Sequence, residues 1–334
     1  MKLASLKHSD QPGGRDGTLI VVNRDLSRAV KATGIADTLQ RALEDWSNVA
    51  PRLNALFQQL QDGNAENSFD LDVDALAAPL PRAFEFVDGS AYLPHVARVR
   101  RARGAEVPES FYTDPLMYQA TSAGFLGPRD PVVVPSEDYG IDLEAEILVI
   151  TDDVPMAVTP EQAAGHIQLV GLVNDVSLRA LIPAELAKGF GFLQSKPRSA
   201  LSPVFVTPDE LGDAWQDSKL HRPMLTHYNG EWFGAPEAGV DMQFNFAQLV
   251  AHAAKTRPLS AGTLVGSGTV ANEDTSLGAS CFAEQRTVET LRDGKPSTPF
   301  MKHGDRVRIE MLDADGHSIF GAIDQQIEVS GKGG

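Results

Sequence analysis

Hydrophobic and polar positions change their period twice along the chain. Residues 18–22 (Thr-Leu-Ile-Val-Val) form a β-branched run, which predicts a strand. From about 37 to 60 the period lengthens. Leu39, Ala42, Leu43, Trp46, Val49, Leu53, Leu56, Phe57 and Leu60 recur at three and four, which predicts helix, with Pro51 marking a break or restart. Beyond Pro79 and Pro81, short apolar runs separated by turn residues take over. The most informative of these is 141–150, Ile-Asp-Leu-Glu-Ala-Glu-Ile-Leu-Val-Ile, a near-continuous apolar strand with Glu144 and Glu146 set into it. Residues two apart on a strand share a face, roughly 7 Å apart. Two readings stay open at this strand: an edge with a solvated acidic face, or an oxygen-ligated site for Mg²⁺, Mn²⁺ or Ca²⁺.

The remaining pattern is mixed. Thr159 as N-cap and Pro160 at the first helical position predict a helix over 159–166, followed by a strand over 167–173. A short strand is expected at 203–206, a helix start at 207–211 and a helix over 244–254. Strands are expected within 263–269, 306–311 and 318–329; the rest reads as mostly strand and turn, ending in a frayed tail at 331–334. Arg98, Arg100, Arg101 and Arg103 cluster in one segment and read first as a solvated helix face, with an anion-recognition or lid segment as the alternative. The change of pattern near Pro79 divides the chain into a small N-terminal domain, 1–78, and a larger domain, 79–330.

Composition narrows the function. The 334 residues are 42% hydrophobic and 22% charged, enough for a sizeable core. A formal net charge of -16 argues against a nucleic-acid partner, which needs a basic face. A small anionic substrate stays admissible, because a metal and a few Arg or Lys make one pocket positive. Cys281 is the single cysteine, so no intrachain disulfide forms. No signal-peptide run follows Lys2 and Lys7, and no segment reaches the roughly 18 apolar residues of a membrane span, so a cytoplasmic protein is expected.

Chemistry-bearing residues accompany the two glutamates. Asp88 ends one apolar run, and His95 follows it by seven residues. Asp175 follows another run, and Arg179 lies four further on, with Lys196 beyond. A metal, a base and two cations suit acid–base chemistry on an oxyanion. Spacing alone leaves their convergence open.

Taken in order, Asp142-Leu143-Glu144-Ala145-Glu146, Asn174-Asp175-Val176-Ser177-Leu178-Arg179, Lys196, residues 203–211, Gly266-Ser267-Gly268-Thr269 and residues 304–310 resemble the fumarylacetoacetate hydrolase family over most of 80–330. The resemblance implies an α+β, mostly β fold: a mixed β-sandwich roll with a small N-terminal α+β domain. It implies Mg²⁺ or Ca²⁺, with Mn²⁺ a further candidate, held by Asp88, Glu144, Glu146 and Asp175. His95 then activates water and Glu284 orients it, Glu273 being the other candidate for that role. Arg179 and Lys196 hold the oxyanion, and Tyr118, Thr269 and Ser90 border the substrate. The implied reaction is hydrolysis of a C–C bond in fumarylacetoacetate or a related acylpyruvate, as in tyrosine and other aromatic amino-acid breakdown. The alternative within the family is a 2-oxo acid hydratase, decarboxylase or isomerase. A homodimer is implied by resemblance only. Ser90, Ala180, Ile182 and Ala200 depart from the family pattern, and the first three bear on the substrate.

Overall fold

The computed structural model describes residues 1–7, 14–101, 104 and 106–330. The expected frayed tail and Arg103 lie outside the described residues. The β-branched run becomes Thr18–Val22, paired with Lys2–Leu6 and Arg28–Lys31. Lys2–Leu6 pairs in turn with Phe205–Val206. These N-terminal strands therefore extend a mixed sheet that continues through Ile167–Asn174, Ala145–Thr151, Leu264–Gly266, Phe86–Gly89 and Met117–Gln119. Ladders in it are antiparallel except between Leu264–Gly266 and Phe86–Gly89, which run parallel. A second sheet orders Glu231–Gly234, Leu225–Tyr228, Arg306–Glu310, Ile323–Val329 and Val132–Val134.

The central strands are buried on both faces, which explains their near-continuous apolar sequence. Ile147, Val149 and Leu172 pack toward Val307, Ile309, Ile323 and Ile327 of the second sheet. Leu148, Ile150, Leu169 and Val173 point the other way, toward Leu39, Leu43, Leu53 and Phe57. The architecture is α+β and mostly β, a sandwich roll joined to the N-terminal strands and helices. No helix among the described residues is long and apolar enough to cross a membrane.

Three expectations need correction. The N-terminal helical segment breaks at Asp45, between Leu39–Glu44 and Trp46–Gln61, and the second helix runs through Pro51. Pro51 is exposed and forfeits one helical hydrogen bond, while Leu53, Phe57 and Leu60 keep their buried stripe. The strand over 141–150 is interrupted. Ile141–Asp142 pairs with Ser177–Leu178, and Ala145–Thr151 pairs with Ile167–Asn174. Finally, Phe282–Asp293 is a twelve-residue helix where strand and turn were expected. Its buried residues are Phe282, Glu284 and Glu289, so two of three are carboxylates and the apolar stripe that signals a helix is missing.

Candidate active site

Three segments bring carboxylates together at one cavity of about 170 Å³, which Asp88, Glu144 and Glu146 line and Asp175 backs. Asp88 comes from the end of Phe86–Gly89, in register with Gly266 across the parallel ladder. A Cβ on Gly266 would lie 2.2 Å from Asp88 Oδ1, so a side chain here would have to displace that carboxylate. Gly268, at φ +76, donates its N–H to the same oxygen at 3.1 Å. The Gly-Ser-Gly stretch is thus the cradle of Asp88.

Glu146 lies on Ala145–Thr151, opposite Val173. Asp175 follows Ile167–Asn174, and its N–H donates to the Glu144 carbonyl at 2.9 Å. The neighbouring Asn174 accepts from the Glu144 N–H at 3.2 Å and donates to Gln325 of the second sheet at 3.1 Å. The Asn-Asp pair therefore pins the glutamate-bearing segment to both sheets. Carboxylate oxygens of Asp88, Glu146 and Asp175 lie within 4.8 Å of one another, all three buried. Glu144 stands beside this trio; its oxygens accept from Arg179 Nη2 at 2.7 Å and Lys196 Nζ at 2.6 Å. Lys196 also donates to Asp175 at 2.6 Å. Asp175 accepts further from Tyr118 Oη and Ser199 Oγ, each at 2.6 Å.

Electrostatics divides the four acids. Burial, reinforced by the charge on Asp175, pushes the Asp88 carboxyl up to about 8. Burial and then Asp88 and Glu144 push Glu146 well above its ordinary value. For Glu144 burial acts the same way, but Lys196 and Arg179 outweigh it and hold the carboxyl far below its ordinary value. Both oxygens of Glu146 are buried, and no amide, hydroxyl or cationic donor reaches them; their hydrogen-bonding neighbour is the Asp88 carboxyl. Carboxylate oxygens left without a donor and converging with two more carboxylates are the donor set of a hard divalent cation, and the residues fit one.

Beside the acids sits a histidine. His95 occupies the first turn of Leu93–Arg101, and Glu284 the first turn of Phe282–Asp293. His95 Nδ1 and Glu284 Oε2 are 2.6 Å apart, which leaves Nε2 free for chemistry. Glu273, the other candidate for orienting His95, is instead exposed and 3.7 Å from Arg98. Arg98, one turn beyond His95 on the same helix face, donates to Glu284 Oε1 at 2.5 Å. It also donates to the carbonyls of Asn272 and Glu273. This arginine is 7% exposed, so one member of the basic cluster is a buried part of the site and not a solvated face. Burial opposes the charge on Glu284, but the His95 bond and the Arg98 guanidinium outweigh it and keep the carboxyl below its ordinary value.

The cavity gathers His95, Arg179, Lys196, Tyr118, Thr269 and Ser90 with the acids. Glu284 stands behind His95. Sequence reasoning passed over four residues. Asp142 is fully buried and accepts from Arg179 Nε at 2.7 Å and from the N–H groups of Phe282 and Ala283 at 2.7 and 2.9 Å. It ties the cation to the start of the helix that carries Glu284, and its place in Asp-x-Glu-x-Glu was the available signal. Arg98 was hidden in a charge run. Ser199 and Phe192 carried no signal.

Fold and site define an enzyme of one class. Residues 85–328 match the family described as Fumarylacetoacetate (FAA) hydrolase C-terminal, and residues 1–82 match Fumarylacetoacetase N-terminal domain 2. The chain belongs to the fumarylacetoacetate hydrolase family. A 2,4-didehydro-3-deoxy-L-rhamnonate hydrolase of Sphingomonas sp. (strain SKA58) is 31% identical over 160 residues. That match takes in 47% of this chain and spans about half the length of the relative, 53%. Among solved structures, a fumarylacetoacetate hydrolase of Exiguobacterium antarcticum superposes with TM-score 0.64 at 18% identity, over 98% of this chain and 99% of that one. A maleylpyruvate hydrolase of Sphingobium sp. SYK-6, in complex with manganese (II) ion and pyruvate, gives 0.64 at 16% identity, over 98% and 100%. A 5-carboxymethyl-2-hydroxymuconate delta-isomerase of Mycobacterium smegmatis gives 0.62 at 18%, over 99% and 100%. These structures share the fold.

Proposed function

We propose that the chain is a divalent-metal-dependent hydrolase that cleaves the C–C bond of an acylpyruvate, a 2,4-dioxo acid of the class that includes fumarylacetoacetate. The carrying observation is the juxtaposition of a carboxylate-backed histidine with the Glu146 carboxylate, left without a donor, in one cavity. Asp88, Glu146 and Asp175, with Glu144 beside them, would hold Mg²⁺, Mn²⁺ or Ca²⁺. When bound, the cation supplies Lewis-acid charge where negative charge develops on the departing enolate.

The chain's own residues do the rest. His95 accepts a proton from water at Nε2, and Glu284 stabilises the imidazolium that results. The resulting hydroxide attacks the C4 carbonyl carbon. Arg179 and Lys196 face the cavity and offer positive charge to the substrate's oxygens. The C3–C4 bond breaks, its electron pair passes into the pyruvate enolate, and the proton on His95 is available to return to C3. Asp142 fixes Arg179 from behind, and Arg98 keeps Glu284 charged.

Similar proteins support this reading: a hydrolase of a didehydro-deoxy sugar acid, and a maleylpyruvate hydrolase holding Mn²⁺ and pyruvate. Isomerisation or decarboxylation would use the same enolate stabilisation without water, and the delta-isomerase shows the fold carrying such a reaction. The test is loss of the enol absorbance of acetylpyruvate on adding protein with Mn²⁺ or Mg²⁺. Turnover that stops with chelator and returns with metal is expected. No turnover of any acylpyruvate with metal present removes the proposal.

A further inference from the structure

The acylpyruvate reading leaves the acyl tail unspecified, and the cavities around the site bear on it. The first cavity is lined by the reactive groups and also by Ser90, Ile182 and Phe192, which carry no charge. A second cavity, of about 350 Å³, shares Phe192 and Lys196 with the first. Its other walls include Gln119, Thr121 and Ser122. The Phe192 ring stands edge-on to Tyr118 at 4.7 Å and forms the partition between the two spaces. Lys196 Nζ is 5.9 Å from the centre of that ring, but Glu144 and Asp175 already engage it, each at 2.6 Å.

Charge at this junction is one-sided. Behind His95, Glu284 and Arg98 form a pair whose charges cancel. Asp88, Asp142, Glu144, Glu146 and Asp175 face only Arg179 and Lys196 among the other described residues that line or back the first cavity. With all five acids ionised, negative charge is three in excess, and a divalent cation leaves it still in excess by one. The pyruvoyl carboxylate, which the metal, Arg179 and Lys196 would hold, raises that excess to two. Among the described residues the second cavity has no cation besides Lys196. A second carboxylate on the tail would meet an unbalanced negative field there. A hydroxyl or amide tail would meet Gln119, Thr121 and Ser122, which donate and accept hydrogen bonds.

Resting on the acylpyruvate reading, we propose that the substrate is a monoanionic acylpyruvate whose uncharged, polar tail runs past Phe192 into the second cavity, and that a tail carboxylate is rejected. This sets the chain apart from an enzyme committed to fumarylacetoacetate, whose tail ends in a carboxylate.

The test compares kcat/KM of the metal-loaded enzyme for acetylpyruvate and for two longer acylpyruvates of one shape, their tails ending in a primary amide or a carboxylate. The amide is expected to be favoured about ten-fold or more at low salt, with the ratio shrinking as salt screens the site. Ser122→Lys and, from another wall, Gln119→Arg each place a cation in the second cavity and are expected to raise the carboxylate substrate relative to the amide. A wild-type ratio near one or below, with acetylpyruvate cleaved, overturns this proposal and leaves the acylpyruvate reading standing. A ratio that neither variant moves overturns the route past Phe192. If acetylpyruvate and both longer acids are untouched, the acylpyruvate reading falls, and this proposal with it.

Discussion

Loading the carboxylate cluster with Mn²⁺ or Mg²⁺ at neutral pH must expel protons, and their number follows from the site. In the metal-free protein Asp88 titrates at about 8, and Glu146 is pushed well above its ordinary value. A carboxyl with a pKa near 8 is about nine-tenths protonated at pH 7, so Asp88 alone holds about one proton there. A cation requires it ionised, so about one proton leaves Asp88 per ion bound, and through this group the apparent Kd weakens about ten-fold for each pH unit below 7, with the raised Glu146 acting in the same direction. Glu144, held far below its ordinary value by Lys196 and Arg179, is ionised throughout and adds nothing to that slope.

The folding linkage has a definite sign. Acids whose folded pKa is raised leave stability intact below their unfolded pKa, near 4, and cost stability as pH rises toward the folded value. For Asp88 alone the loss between pH 4 and 8 is on the order of 5 kcal/mol, an upper bound because the site can relax or take in water. The assay is titration calorimetry with Mn²⁺ at pH 7 in buffers of different ionisation enthalpy. Its slope reads the protons released. Parallel urea melts of the metal-free protein from pH 5 to 8 are expected to fall with pH, and metal is expected to flatten them. Release of less than about half a proton, with flat metal-free melts, would show that these acids are already ionised and that the cluster is neutralised some other way.

Other consequences follow from single contacts. Arg98→Met leaves Glu284 with one partner and is expected to cost about 3 kcal/mol in urea melts, with Arg98→Lys recovering part of it. Asp142→Asn unbalances Arg179 and should lower kcat/KM for acetylpyruvate by about a hundred-fold while metal affinity changes little, because Asp142 lies outside the converging trio. Gly266→Ala drives a methyl group onto Asp88 Oδ1 and is expected to cost about 1–3 kcal/mol and to weaken Mn²⁺ binding; unchanged affinity would contradict the cradle assigned to that glycine.

How far the sequence revealed this site can be traced residue by residue. Glu144 and Glu146 were visible because strand periodicity is two and carboxylates inside an apolar run stand out. Their separate fates were not visible, because Lys196 and Arg179 reach Glu144 from distant segments. The helix Phe282–Asp293 escaped notice because it buries Glu284 and Glu289 where an apolar stripe would be expected. Arg98 escaped for the opposite reason: a run of arginines reads as solvated, and burial of one member depends on Glu284, 186 residues away. Among the described parts of the fold, the doubly buried central strands were the most legible. Pro51 was misleading because its cost falls on an exposed turn that the buried stripe of its helix easily offsets.

The central claim is that water, activated at His95, splits a C–C bond. It is tested most directly by running acetylpyruvate turnover with Mn²⁺ in ¹⁸O-labelled water and analysing both products for the wild type and for His95→Ala. The account predicts acetate and pyruvate in equal amounts, one solvent oxygen newly fixed in the acetate carboxylate, and a His95→Ala variant that still binds Mn²⁺ but turns over at least about a hundred-fold more slowly. Release of carbon dioxide, a product of unchanged mass, or full activity in His95→Ala would contradict it.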